Sequence, residues 1–160
     1  MNKKEIYDFL KTKKIWHEIT EHQAVFNMGE LFDTENPHPD CIAKNIFVRD
    51  DKKANYYLIT VKGDKRINLK DFKKEYGTRH LSFASADDLT NILKITPGSV
   101  SPFGLLNDEE IKVQFFIDQE FEKGEGIIGI HPNDNTATVW LKVKDLISLI
   151  KEHGNTVTIF

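Results

Sequence analysis

Ile46-Phe47-Val48-Arg49, the polar stretch Asp50 to Asn55, and then Tyr56-Tyr57-Leu58-Ile59-Thr60-Val61 place β-branched and aromatic residues on both sides of a turn. That pattern predicts a β-hairpin. Upstream, Ile6, Phe9 and Leu10 recur at i, i+3 and i+4 with lysines opposite them, which predicts an amphipathic helix. Trp16 to Thr20 reads as a short strand and Asn27 to Phe32 as a short helix. Two prolines in the Asp33 to Asp40 segment make it a surface loop. Downstream, Asn68 to Tyr76 reads as a helix closed by Gly77, and Leu81 to Phe83 as a strand. Ser85 caps a helix running through Leu93, with Asp88 three positions on. Thr96 to Gly104 is too rich in turn residues for a regular element. Val113 to Phe121, Gly126 to Ile130 and Thr136 to Val143 then suggest a three-strand meander. A helix over Lys144 to His153, stopped by Gly154, leads to a closing strand at Thr156 to Phe160. Helices interspersed with antiparallel-type strands predict an α+β class, a mixed and largely antiparallel sheet flanked by helices.

The chain has 160 residues, a length that suits one compact domain over 1–160. Hydrophobic residues at 39%, with 11 Phe, 4 Tyr and 2 Trp, supply a core and exclude wholesale disorder. No apolar run reaches the roughly 18 residues of a membrane helix. The charged start MNKKEIYDFLKTKK is unlike a secretory address, and the single Cys41 forms no internal disulfide, so a cytoplasmic setting is expected. The net charge of -3 argues against bulk electrostatic binding to nucleic acid. The average conceals an asymmetry: Lys44 to His80 holds eleven basic residues against five acidic ones, whereas Leu105 to Phe160 is acidic in excess.

The chain has no phosphate-binding GxxxxGK[ST] loop, no GxGxxG, no HExxH and no zinc-finger spacing, and its six histidines are widely scattered. Cys41 is more simply a small hydrophobe than a nucleophile. Three local features remain. Lys44-Asn45 precedes the first strong strand, where side chains commonly face a pocket, although an exposed lysine is the plainer reading. The Gly98-Ser99-Val100-Ser101-Pro102-Phe103-Gly104 turn exposes backbone N–H groups suited to an anionic oxygen, or is a plain connection. Gly129-Ile130-His131-Pro132 ends a strand with a histidine that is a pocket wall or a turn residue.

Taken in order, Lys44-Asn45 before IFVRD, LSFAS at 81–85, GSVSPFG at 98–104 and GIHPNDNTATVWL at 129–141 resemble the YbaK/prolyl-tRNA synthetase-associated domain family. The likeness runs from about His22 to the C-terminus. Within the family it is greatest to the freestanding alanyl-tRNA(Pro) deacylases of the ProX or PrdX type. The resemblance implies an editing-domain fold with no metal or organic cofactor. It also implies a trans-editing hydrolase that cleaves the ester of alanine mischarged on tRNA(Pro). The same resemblance is compatible with a deacylase for another small residue, such as cysteine on tRNA(Pro), and with a non-catalytic tRNA- or synthetase-binding module.

A site that binds proline discriminates weakly against smaller alanine, each missing methylene giving about 1–3 kcal/mol, so a second sieve is needed. The resemblance implies that Lys44 binds the terminal phosphate or the substrate oxygens. Asn45 would bond the terminal nucleotide or aminoacyl group, and His131 would orient substrate or water. Gly98, Ser99 and Ser101 would form a loop wall, and Gly129 would line the aminoacyl pocket. Val25, Phe26 and Met28 fall where the family has a helix near that pocket. In the family the adenosine 2′-OH or a backbone-held water is thought to replace a protein base. Lys52, Lys53, Lys62, Lys65, Arg66 and Arg79 are candidate contacts to acceptor-stem phosphates. The expected partner is the alanine-bearing tRNA(Pro) acceptor end, with prolyl-tRNA synthetase or an elongation factor as transient partners, and neither DNA nor membrane.

Overall fold

The central hairpin is present: β2 (Ala43–Asp50) pairs antiparallel with β3 (Tyr56–Lys62), Ile46 opposite Ile59 and Phe47 opposite Leu58. The structure, a computed structural model, describes residues 1–24 and 36–160. The expected helix at Asn27 to Phe32, the start of the loop before Asp40, and Val25, Phe26 and Met28 lie outside the described residues. Asp50 fixes the hairpin turn. Its buried carboxylate accepts hydrogen bonds from the Ala54 N–H and the Asn55 side-chain amide, both at 2.9 Å.

Around the hairpin the described chain builds two sheets. β4 (Leu81–Phe83) pairs antiparallel with β2, while β5 (Val113–Ile117) pairs parallel with β3 and β8 (Val157–Ile159) parallel with β5. The order β4-β2-β3-β5-β8 is thus mixed. A second, antiparallel sheet has the order β1-β7-β6, from β1 (His17–Glu21), β6 (Ile127–Ile130) and β7 (Ala137–Lys142). A single parallel bridge between Ile42 and Gly129 joins the two.

The four α-helices among the described residues follow local chemistry. α1 (Lys3–Thr12) opens with a capping box between Asn2 and Glu5 and buries Ile6 and Leu10. α2 (Leu69–Tyr76) is capped by the Asn68 side chain and closed by Gly77 in the left-handed region, φ 65°. α3 (Ala86–Asp88) begins at the Ser85–Asp88 capping box and runs on as a π turn, Leu89–Leu93. α4 (Val143–His153) buries Leu146, Ile147, Leu149 and Ile150.

The main core lies between the two sheets, where Phe47, Leu58 and Phe115 meet Ile128, Ile130, Val139 and Leu141 together with one face of α4. The other face of the large sheet is closed by α2, whose Phe72 and Tyr76 pack on Phe116.

The α+β class and the largely antiparallel pairing hold, but two expectations need correction. Val113 to Phe121 is not part of a meander with the next two strands. It stops at Ile117, because the buried Asp118 carboxylate caps a 3₁₀ turn over Gln119–Glu122, and it inserts between β3 and β8. Of those three strands, β6 and β7 pair with each other, antiparallel, and β5 pairs with neither. The turn-rich 96–104 segment also runs into a 3₁₀ helix, Pro102–Asn107. Ser101 caps it and Pro102 occupies its first turn, where a missing N–H costs nothing.

Candidate functional site

The Ile42–Gly129 bridge organises the site. Paired residues in a ladder leave the same side of the sheet, and successive residues alternate. The bridge is parallel, so Lys44 and His131, each two residues further on, leave the same face as Ile42 and Gly129. That face holds Trp140, which stands opposite Gly129 across the β6–β7 ladder. A Cβ at Gly129 would lie 2.4 Å from Cζ3 and 2.6 Å from Cε3 of the indole, so only glycine fits under the ring. Trp140 is fully buried, its Nε1–H donates to Thr20 Oγ1 at 2.9 Å, and the His38 ring lies 5.4 Å away.

His131 is held by a short bond between Nδ1 and the Ala137 carbonyl, 2.8 Å. A carbonyl only accepts, so Nδ1 carries the proton and Nε2 presents its lone pair. Burial pushes the imidazolium pKa below its ordinary value. The Ala137 carbonyl opposes this, nearby His22 adds to it, and Asp134 opposes it weakly. His22 is bonded through Nδ1 to the Gln23 carbonyl at 2.8 Å, and its Nε2 lies 3.0 Å from the Thr138 hydroxyl. The His22 and His131 rings stand edge to face with centroids 6.1 Å apart. Neither His22 nor Trp140 is marked as a site residue by the sequence around it. The cross-strand register that places both beside His131 has no local sequence signal.

Lys44 is half-buried, and among the described residues its ammonium makes no hydrogen bond or ion pair. Asn45 leaves the opposite face. Its Oδ1 accepts the buried Thr60 hydroxyl at 2.6 Å, and among the described residues its side-chain NH₂ has no acceptor. Backbone bonding on this side resumes only at Phe47, whose carbonyl accepts the Ala84 N–H, so among the described residues β2 has an open edge between the Ile42 bridge and Phe47. Alternation along the strand turns the Asn45 N–H and C=O toward that gap.

The Gly98–Ser101 loop belongs to the main-core side, where Val100 packs against the cluster of Ala43, Phe47 and Phe103. Gly98 adopts φ 90°, and both Ser99 and Ser101 are buried. Ser101 Oγ accepts the Phe103 N–H at 3.2 Å. Among the described residues the N–H groups of Gly98, Val100 and Ser101 find no backbone acceptor. No hydrogen bond among the described residues ties the loop to Lys44, Asn45 or His131.

The six expected phosphate contacts separate into two groups. Lys52 and Lys53 sit exposed at the hairpin tip, beside Arg79, which is engaged by Asp51 with Nη2 3.0 Å from Oδ2. Lys62 and Lys65 lie at the far end of β3, about 20 Å away at roughly 3.3 Å per residue. Lys65 pairs with the buried Asp118 at 2.9 Å, and Lys62 donates to the Asp40 carbonyl over the Phe121 ring. Arg66 is exposed. Cys41 is half-buried beside Ile42, and burial pushes its thiol pKa up, as expected of an inert thiol.

A family model for the aminoacyl-tRNA editing domain matches residues 22–149. The chain belongs to the aminoacyl-tRNA editing domain family. Among relatives of this editing domain is the prolyl-tRNA editing protein ProX of Acetoanaerobium sticklandii, 41% identical over 143 residues that span 89% of this chain and 87% of that one. Another is prolyl-tRNA synthetase associated domain-containing protein 1 of Mus musculus, 34% identical over 141 residues, 86% and 83% of the two chains. A crystal structure of a candidate trans-editing enzyme for prolyl-tRNA synthetase superposes with a TM-score of 0.69 over 98% of this chain and 94% of that one. At 17% identity it speaks for the fold alone. The editing domain is a hydrolase of the aminoacyl-tRNA deacylase class. Among the described residues no helix is long and apolar enough to cross a membrane.

Proposed function

We propose that this editing domain removes alanine from mischarged tRNA(Pro) in trans, in the cytoplasm, meeting prolyl-tRNA synthetase or an elongation factor only transiently. The observation that carries the reading is the placement of Lys44 and His131 on one face, flanking a glycine whose missing side chain is replaced by a fixed indole.

An aminoacyl ester is already activated, so hydrolysis needs a positioned water and support for the developing oxyanion. The Lys44 ammonium, without a partner among the described residues, is suited to hold the terminal phosphate or an ester oxygen through a charge-assisted bond. His131, neutral with Nε2 bare, is suited to accept a hydrogen bond from the aminoacyl ammonium or from the attacking water. The water oxygen bonds to the ester carbonyl carbon while its proton passes, through the adenosine 2′-OH or solvent, to the departing 3′ oxygen, and the ester C–O bond breaks to release alanine and the free 3′-OH. The Asn45 amide and the N–H groups of Gly98, Val100 and Ser101 supply further donors on the other side of the β2 edge. The fully buried Trp140 backs Gly129 and fixes the strand end that carries His131, and a site held at a fixed size favours alanine over the bulkier proline ring.

The test is a deacylation time course on tRNA(Pro) charged with alanine, cysteine, serine or proline, without added metal. Alanine should be released fastest and proline spared. Equal release of proline, or no release of alanine from tRNA known to be charged, overturns the reading.

A further inference from the structure

The face of the large sheet that bears Lys44 continues away from the aminoacyl site with two features that site does not use. Phe83 on β4 stands opposite Val48, so it shares the face of Val48, Ile46 and Lys44, and it is 67% exposed. Beyond it, α2 and the end of β4 enclose an open groove of about 810 Å³ lined by Lys70, Lys73, Lys74, His80 and Leu81. At i, i+3 and i+4 the three lysines form one stripe of α2. Phe72 and Tyr76 face the sheet, and Asp71 and Glu75 lie on a separate flank. None of the three ammonium groups has a hydrogen-bond or ion-pair partner among the described residues. Lys65 and Arg79, by contrast, are both engaged by carboxylates. Along β2, Phe83 lies about 13 Å from Lys44 and the groove about 20 Å from it, at roughly 3.3 Å per residue.

We propose that this face is the track for the RNA strand of the substrate. Phe83 stacks on a base of the unpaired 3′ end, and Lys70, Lys73 and Lys74 hold phosphates further from the terminus. An isolated exposed ring beside uncompensated cations asks for a ligand that has both π-faces and regular negative charge, and single-stranded nucleic acid running into a stem supplies both. A protein interface would instead need an apolar patch around Phe83, and the neighbouring groove is lined by lysines. The proposal rests on the deacylase reading only in supposing that the substrate is a tRNA.

Fluorescence anisotropy with an uncharged acceptor-stem RNA hairpin, with and without a single-stranded CCA tail, tests it over a range of salt. Because the RNA is uncharged, the outcome is independent of whether alanine is the residue removed. Phe83→Ala should weaken binding of the tailed hairpin about 5-fold or more while leaving the blunt hairpin unchanged, and Phe83→Trp should restore it. Lys70→Gln/Lys73→Gln/Lys74→Gln should weaken binding of both hairpins and reduce the slope of log Kd against log salt by about 2 to 3. Lys144→Gln/Lys151→Gln, exposed positions on α4 across the large sheet, should behave as wild type. Phe83→Ala binding both hairpins as wild type does, a lysine triple variant indistinguishable from the α4 control, or a wild type that binds neither hairpin would each overturn the proposal.

Discussion

Gly129 and Trp140 face each other across the β6–β7 ladder so closely that a single added methyl carbon would sit 2.4 Å from the indole. The ring cannot easily retreat, since it is buried against Ile42 and Ile127 and pinned through Nε1 to Thr20. Gly129→Ala should therefore cost about 1–3 kcal/mol of stability by overpacking, and it should lower alanine release by shifting the strand end that carries His131. Urea unfolding followed by tryptophan fluorescence checks the first effect. A variant as stable as wild type would show that the indole yields and is not a fixed wall.

Lys44 is half-buried and has no ion-pair or hydrogen-bond partner among the described residues, so its replacement strands none of them and should hardly disturb the fold. Lys44→Ala is expected to lower kcat/KM for alanine release about 100-fold or more, the scale of losing one oriented donor to a developing charge. Circular dichroism and thermal unfolding should match wild type. Lys44→Arg should recover only part of the rate, because a planar fork does not replace a point charge. Near-wild-type turnover in Lys44→Ala would remove this side chain from the site.

Much of the architecture is legible in the sequence because its signals are local. The alternation in Ile46 to Val61, the capping residues Asn68 and Ser85 and the stop at Gly77 each act within a few residues of themselves. What is not legible is partner choice. Val113 to Ile117 reads as a strand from its own residues, but nothing in it says that it lies parallel between β3 and β8 and not beside β6. The same limit applies to the site. Lys44 and His131 are each noticeable in sequence, yet only the Ile42–Gly129 bridge shows that they share a face and that Asn45 does not. The basic excess of the 44–80 segment is likewise visible by counting. Which of its charges are already satisfied depends on carboxylates distant in sequence, as with Lys65 and Asp118.

The parallel register of β5 and β8 depends on a buried polar knot. Asn155 donates through Nδ2 to Asp108 Oδ2 at 2.9 Å and to the Val113 carbonyl at 2.8 Å, while Asp108 also accepts the Lys112 and Val113 N–H groups. Asn155→Ala removes one of the two donors to Asp108 Oδ2 and the side-chain donor to the Val113 carbonyl in a buried position, at a cost of about 1–3 kcal/mol. Denaturant unfolding should show that loss. Alanine release measured well below the unfolding transition should be unchanged, because the knot lies away from Lys44 and His131. A fall in turnover without a fall in stability would contradict this separation of roles.

The pH dependence of the reaction follows from His131. Its Nδ1 proton is committed to the Ala137 carbonyl, so only the neutral ring offers Nε2 as an acceptor. Burial holds the imidazolium pKa below the ordinary value of about 6.5. A group whose useful form is the deprotonated one keeps its contribution above its pKa and loses it as pH falls through that value. The enzymatic rate, corrected for spontaneous ester hydrolysis, should thus be level at neutral pH and fall on an acid limb centred below about 6.5. The neighbours give the limb a direction of movement. His22 presses the His131 pKa down, so His22→Asn should move the limb to higher pH. Asp134 raises it, so Asp134→Asn should move the limb to lower pH. His131→Asn should abolish the limb along with most of the rate. An acid limb that stays in place in both neighbouring variants would mean that another group, not His131, sets the protonation state on which alanine release depends.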